Sequence, residues 1–243
     1  MRITRIFQDI SLSENINIEL NKEASNHIAN VLRLPVNTSL IVFNGKGGEF
    51  IAHIVDIKKK TVSVKIEAFS NIENESPINI HLAQCISRGE KMDVTIQKSV
   101  ELGVSEITPI ISERCGVKLS NERWGKRLDH WQKIIISACE QCGRNTIPVL
   151  NSVINFNEFI QKESVDLKLL LQPYTETTLS EINTSNKDFT ILIGPEGGLS
   201  DDEIQEAENH HCISLKLGPR ILRTETAALT LFSILQAKWG DLG

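Results

Sequence analysis

From Ile78 onward strand-like and helix-like segments alternate, and nothing else in this 243-residue chain restricts its fold as strongly. Ile78–Cys85 reads as a strand, Lys91–Leu102 as a helix closed by Gly103, Glu106–Ile111 as a strand, and Trp124–Cys142 as a long helix. Strands Leu167–Leu171, Phe189–Ile193 and Ile213–Leu217 follow, with helices Asp201–His210 and Thr224–Trp239 among them. Such alternation predicts an α/β domain, a mostly parallel sheet covered by helices, because parallel neighbours need a long crossover between them. Ligands in these sheets lie beyond the carboxyl ends of the strands.

The first seventy residues follow another rhythm. Arg2–Phe7, Leu40–Phe43, Glu49–Ile57 and Thr61–Ala68 alternate apolar and polar residues with period two, and only Lys22–Leu32, stopped by Pro35, has helical spacing. Residues 1–70 are therefore expected to form a small, barrel-like β module. Residues 71–77 (Asn-Ile-Glu-Asn-Glu-Ser-Pro) lack periodicity and read as a linker, with residues 78–243 as the second domain. No run of eighteen apolar residues occurs, and Met1-Arg2-Ile3-Thr4-Arg5 lacks the apolar stretch of a signal peptide, so the expected compartment is the cytoplasm.

A formal net charge of −5 argues at face value against a polyanionic partner. The distribution changes that reading. Residues 1–70 carry nine basic and seven acidic side chains and residues 81–150 ten and eight, whereas residues 151–243 carry seven and fourteen. The first two thirds can face phosphates while the acidic third serves another task.

Five cysteines, at 85, 115, 139, 142 and 212, form no disulfide framework. Cys139-Glu140-Gln141-Cys142 is a CxxC, but its one possible companion for zinc is His210-His211-Cys212, so these residues read as small helix residues and no metal is expected.

Three strand exits in the last third carry unusual sequences. Leu169-Leu170-Leu171 runs into Gln172-Pro173, Ile193 into Gly194-Pro195-Glu196-Gly197-Gly198-Leu199-Ser200, and Leu217 into Gly218-Pro219-Arg220-Ile221-Leu222-Arg223-Thr224-Glu225-Thr226-Ala227-Ala228. Glycine admits close backbone approach and proline stiffens the loops. A nucleotide phosphate is a poor fit. Neither G-x-G-x-x-G nor G-x-x-x-x-G-K-[ST] is present, and Ser200-Asp201-Asp202-Glu203 is a capping box whose carboxylates occupy the positive end of the following helix. The ligand of this loop should be neutral or cationic. S-adenosylmethionine, with adenine, ribose and a sulfonium but no phosphate, meets that requirement.

The segments 193–200 and 217–228 resemble the two signature segments of the RsmE family of ribosomal RNA methyltransferases, within the knotted SPOUT superfamily. The resemblance extends to Arg88-Gly89-Glu90-Lys91-Met92, Lys98, Glu101-Leu102-Gly103, Glu140-Gln141 and Arg144, and more weakly to His27 and Val31-Leu32-Arg33. Cys139 and Cys142 stand where the family would have small residues. The resemblance implies a PUA-like RNA-binding module followed by a methyltransferase domain with a deep C-terminal trefoil knot, a homodimer, and S-adenosylmethionine as cofactor. It also implies the reaction, methylation of N3 of one uridine, at position 1498, in 16S ribosomal RNA, free or in the assembled small subunit.

From the family segments the cofactor residues are expected to be Leu171, Gln172, Pro173, Ile193, Gly194, Pro195, Glu196, Gly197, Leu217, Gly218, Ile221, Leu222, Arg223, Thr226 and Ala227. Removing the N3 proton leaves negative charge on the uracil oxygens, which a fixed cation stabilises. Arg223 is the expected cation and Glu196 or Glu225 the proton acceptor. Positioning of RNA falls to Arg2, Arg5, His27 and Arg33 in the β module, with Arg88, Lys91 and Arg144 in the second domain. The nearly all-apolar helix beginning at Ala227 fits core burial plus a dimer contact. Three other readings stay open: a nucleotide-binding α/β enzyme, a non-catalytic RNA-binding adaptor, and a related enzyme that methylates another base or a ribose 2′-hydroxyl.

Overall fold

The computed structural model describes residues 3–59, 61–117 and 119–243, apart from the side chain of Asn121. It divides into two compact units. The first holds the chain up to Glu75 together with Ile136–Ile147, and the second holds Ser76–Ile135 and Pro148–Gly243.

In the first unit β1 (Thr4–Phe7), β2 (Asn17–Glu19), β3 (Ser39–Phe43), β4 (Glu49–Ile57) and β5 (Val62–Ser70) form one sheet in the order β1-β3-β4-β5-β2. Alternation decides what is inside. Ala52, Ile54, Val62, Val64 and Ile66 are fully buried against Ile6, Leu20 and Ile28. Helix α1 (Lys22–Asn26) continues as a π-helical stretch, His27–Leu32, instead of the single α-helix expected over Lys22–Leu32. Leu34 N donates to Ile28 O, and Arg33 adopts a left-handed conformation (φ 52°), so the stretch ends at Leu32, ahead of Pro35.

The acidic segment after β5 is tied down. Glu75 takes hydrogen bonds from the Arg144 guanidinium (Nε to Oε2, 3.0 Å), Asn145 Nδ2 donates to Ile72 O (2.6 Å), and Asn74 Nδ2 donates to Gly143 O (2.9 Å). These bonds explain why Ile136–Ile147, placed by the sequence in the second domain, groups with the first unit.

The second unit is built on a seven-stranded, all-parallel sheet. Its strands are β6 (Asn79–Cys85), β7 (Glu106–Ile111), β8 (Val149–Leu150), β9 (Ile154–Asn155), β10 (Leu167–Leu171), β11 (Asp188–Ile193) and β12 (Ile213–Leu215). The order is β12-β10-β11-β6-β7-β8, with β9 also paired to β7. Helices α2 (Lys91–Glu101), α3 (Asn121–Cys142, of which the part up to Ile135 belongs to this unit), α4 (Phe156–Ile160), α5 (Asp201–Asn209) and α6 (Thr224–Trp239) and a 3-10 turn (Leu179–Glu181) accompany the strands. α4 and α5 set Phe156, Phe159, Ile160 and Ala207 against Ala83, Ile110, Leu170 and Leu192 of the sheet, while α2 packs beside α6. α4, β8 and β9 escape periodicity because they are two to five residues long. β12 stops at Leu215 because Lys216 N leaves the ladder and donates to Thr177 O (2.9 Å). Among the described residues, no helix is long and apolar enough to cross a membrane.

Trp131 anchors α3 to α2. It is fully buried and donates from Nε1 to Asp93 Oδ1 at 3.0 Å. Trp131→Ala should lower unfolding free energy by about 3–5 kcal/mol through cavity formation and loss of the bond to Asp93 Oδ1, measurable by urea denaturation.

Candidate cofactor site and charged surface

β12, β10 and β11 are adjacent and parallel, so their carboxyl ends share one edge of the sheet: Leu171 lies beside Leu215, and Leu170 beside Leu192. The three unusual loops consequently converge, and they enclose a cavity of about 520 Å³, a volume suited to a nucleoside-sized ligand. Leu171, Gln172, Pro173, Ile193, Gly194, Pro195, Glu196, Gly197, Leu217, Gly218, Ile221, Leu222, Arg223 and Ala227 all line it. Thr226 and Glu225 are not on its wall. Thr226 is exposed on α6, and the Oε2 atom of Glu225 is buried without a partner among the described residues.

Local chemistry dictates the loop shapes. At Gly218 φ is +70°, a conformation that L side chains rarely adopt, and a Cβ on Gly194 would come within 3.2 Å of Leu199 N. The capping box is formed: Ser200 N donates to Glu203 Oε2 (3.0 Å), and Glu203 Oε1 accepts from Glu113 N (2.8 Å). Glu203 thus joins the start of α5 to the exit of β7 while keeping negative charge at the helix N-terminus.

Some wall residues, Arg114 and Tyr174, carried no signal in the sequence, and others, Arg220 and Thr224, lay in a singled-out segment without an assigned role. Arg114 donates from Nη1 to Leu199 O (3.0 Å), pinning the glycine loop, and Tyr174 and Arg220 stand exposed on the cavity lining. Thr224 donates from Oγ1 to Gly194 O at 2.8 Å. The fold alone brings them together.

Glu196 accepts from Lys91 Nζ (3.1 Å) and from Arg88 N (3.0 Å). Partial burial works to raise its pKa, but the backbone N–H groups of Glu196 and Arg88 and the Lys91 ammonium outweigh it, so the carboxyl is held below its ordinary value. These contacts are therefore complete at neutral pH and are lost only as pH falls through that lowered value.

The basic residues separate into two groups. His27, Arg33 and Arg88 are exposed, and Lys91 lines the cavity; Arg2 lies outside the described residues. Arg5 and Arg144, also expected from the sequence to contact phosphates, lie in internal ion pairs. The Arg5 side chain is 10% exposed, paired with Glu49 and bonded to Asn145 Oδ1, and its guanidinium lies over the Phe43 ring. Arg144 is 6% exposed and doubly bonded to Glu75. Both guanidinium groups are paired inside the first unit, with Arg5 Nε buried and without a partner among the described residues. Cys139 is buried, with its thiol pushed up to about 12 by desolvation. Among the described residues, no group of three or more His, Cys, Asp or Glu side chains could hold a metal ion.

A parallel sheet with a cavity at three looped strand ends, preceded by a small β module, belongs by its family matches to the RNA methyltransferases with a PUA domain. The family described as "RNA methyltransferase domain" matches residues 74–236, and "RNA methyltransferase PUA domain" matches residues 20–67. Ribosomal RNA small subunit methyltransferase E of Buchnera aphidicola (Acyrthosiphon pisum strain) is 38% identical over 99% of this chain and 95% of its own length. The enzyme of the same name from Neisseria gonorrhoeae, solved bound to S-adenosyl methionine, is 39% identical with a TM-score of 0.94, covering 100% of both chains. A putative methyltransferase from Legionella pneumophila, solved with the bound cofactor SAM, is 46% identical with a TM-score of 0.97, also covering 100% of both chains. The chain belongs to the ribosomal RNA small subunit methyltransferase E family.

The two groups of arginines give a direct comparison. Arg144→Met should cost on the order of 2–4 kcal/mol of stability by leaving Glu75 without its partner, whereas Arg33→Met, at an exposed position, should stay within about 0.5 kcal/mol of the parent. Thermal and urea unfolding of the two variants measure the difference.

Proposed function

We propose that the chain transfers a methyl group from S-adenosylmethionine to N3 of uridine 1498 in 16S ribosomal RNA. The observation that carries this reading is the chemistry of the cavity. Its wall offers apolar side chains (Leu171, Ile193, Leu217, Leu222) and the backbone amides of three strand exits, and Asp201 of the capped helix lines it as well. The apolar part of this wall suits an adenosine and the Asp201 carboxylate at the start of α5 suits its cationic end, while Lys91, Arg114, Lys216, Arg220 and Arg223 line the rest of it. The bound cofactors of the Legionella and Neisseria relatives support the same assignment. Leu171, Gly194, Gly197, Gly218, Leu222 and Ala227 would hold the cofactor, which supplies an electrophilic methyl on sulfonium and leaves as S-adenosylhomocysteine.

The chain's own residues then have two tasks, holding the uracil in line with the methyl and managing the N3 proton. Arg223, exposed at the start of α6 on the cavity wall, stabilises the charge that develops on O2 and O4. Glu196 is the acceptor favoured by position, because it lines the cavity and Glu225 does not. The exposed His27 and Arg33, with Arg88, contact RNA phosphates. We further propose that segments 193–200 and 217–228 form the trefoil knot, that α6, exposing Ser233, Ile234 and Ala237, contributes to a homodimer, and that the enzyme acts in the cytoplasm.

The deciding experiment maps N3-methyluridine in 16S ribosomal RNA from cells lacking the protein and from cells carrying it. The mark should vanish in the first and return in the second; a mark that persists, or that turns out to be a ribose methyl, overturns the reading. Arg223→Ala should not restore it, while calorimetry should show cofactor affinity within about threefold of the parent. Arg33→Gln should weaken RNA binding and lower the salt slope by roughly one, as read by fluorescence anisotropy at several salt concentrations.

A further inference from the structure

The last residues of β6 do not line the cavity, yet one of them is bonded to its wall. Gln84 is fully buried and pairs in register with Ile193, the residue before the glycine loop. Its Nε2 donates to Cys85 O (2.9 Å) and to Thr224 Oγ1 (3.0 Å), and Thr224 Oγ1 in turn donates to Gly194 O (2.8 Å). A carbonyl can only accept, so Cys85 O fixes which end of the amide faces it. The amide N–H then occupies a lone pair of the Thr224 hydroxyl, which leaves that hydroxyl's single proton for Gly194 O. Donor direction therefore runs one way, from the β6 end through the first turn of α6 to the exit of β11.

The arrangement has a cost that packing would not require. Gln84 Oε1 is buried with no partner among the described residues, and a leucine or methionine would fill a similar volume without an orphaned oxygen. Thr224 directly follows Arg223, so whatever fixes its hydroxyl also fixes where α6 begins. We infer that Gln84 is a positioning residue of the cofactor cleft, setting through Thr224 the place of both the Gly194 carbonyl and Arg223. The inference rests on the reading of the cleft as the S-adenosylmethionine site.

The test uses Gln84→Leu, Thr224→Val, Thr224→Ser and the double variant Gln84→Leu/Thr224→Val in the full chain. Thr224→Val keeps the volume and removes only the hydroxyl, so it still reports if the Gln84 variant fails to fold. Three readouts are compared: S-adenosylmethionine affinity by calorimetry, single-turnover methylation of 16S ribosomal RNA, and amide hydrogen exchange of residues 194–200 and 217–224 without cofactor. Gln84→Leu and Thr224→Val should each weaken cofactor affinity about tenfold or more, slow methylation by at least as much, and speed exchange in both segments. Thr224→Ser should recover most of each loss, and the double variant should be no worse than the more damaged single one. Parent-like affinity and exchange in Thr224→Val overturn the inference, as does a Thr224→Ser variant as impaired as Thr224→Val, or additive losses in the double variant. If the parent binds no S-adenosylmethionine, the functional reading fails, and the exchange data alone still decide whether Gln84 positions the loops.

Discussion

Parallel pairing is the constraint on which the second unit depends. Strands that run the same way finish at the same edge, so β12, β10 and β11, once adjacent, must deliver Gln172, Gly194 and Lys216 to one place. An antiparallel arrangement of the same sequences would send every second loop to the opposite edge. The cavity is thus a product of topology first and of loop sequence second. Within it the glycines answer a local demand: Gly218 supplies a positive φ, and Gly194 leaves room for the Leu199 amide.

Electrostatics then narrows what the cavity accepts. A helix N-terminus at a strand exit ordinarily draws phosphate, and here Asp201, Asp202 and Glu203 fill the first turn of α5. Glu203 has both oxygens engaged by backbone amides and is nearly buried, so its charge is a fixed part of the loop. A sulfonium is compatible with these carboxylates at the α5 end of the cavity, while Lys91, Arg114, Lys216, Arg220 and Arg223 set positive charge elsewhere on the wall. On the other flank Lys91 holds Glu196, so the cavity wall carries a paired carboxylate near Arg223.

The sheet, the long helices, the capping box and most of the cavity wall were legible in the sequence, because each leaves a periodic or contiguous trace. Ser200 and Glu203 are three residues apart, and the loops after Leu171, Ile193 and Leu217 are single stretches. Relations across distant strands leave no such trace. Nothing near Arg114 announces that it grips the Leu199 carbonyl, and Gln84 reads as one more polar residue in a strand until Thr224 is set beside it. The sequence also says nothing of burial for a charged residue: Arg5 and Arg144 resemble Arg33 on paper, but their carboxylate partners Glu49 and Glu75 lie 44 and 69 residues away.

That last distinction changes the meaning of the charge distribution. The first two thirds carry a small surplus of basic residues, and two of them, Arg5 and Arg144, are spent on internal pairs. A stable buried arginine contributes little to the field outside, because its carboxylate partner cancels it at close range. Under the proposed function, attraction to RNA would come from fewer, exposed groups such as His27, Arg33 and Arg88. Few contacts of this kind give modest, salt-sensitive affinity on their own, so under the proposed function the choice of one nucleotide would be made by the fit of a base at the cavity. In a chain of net charge −5, that specificity would rest on the shape fixed by three parallel strand ends more than on the strength of the attraction.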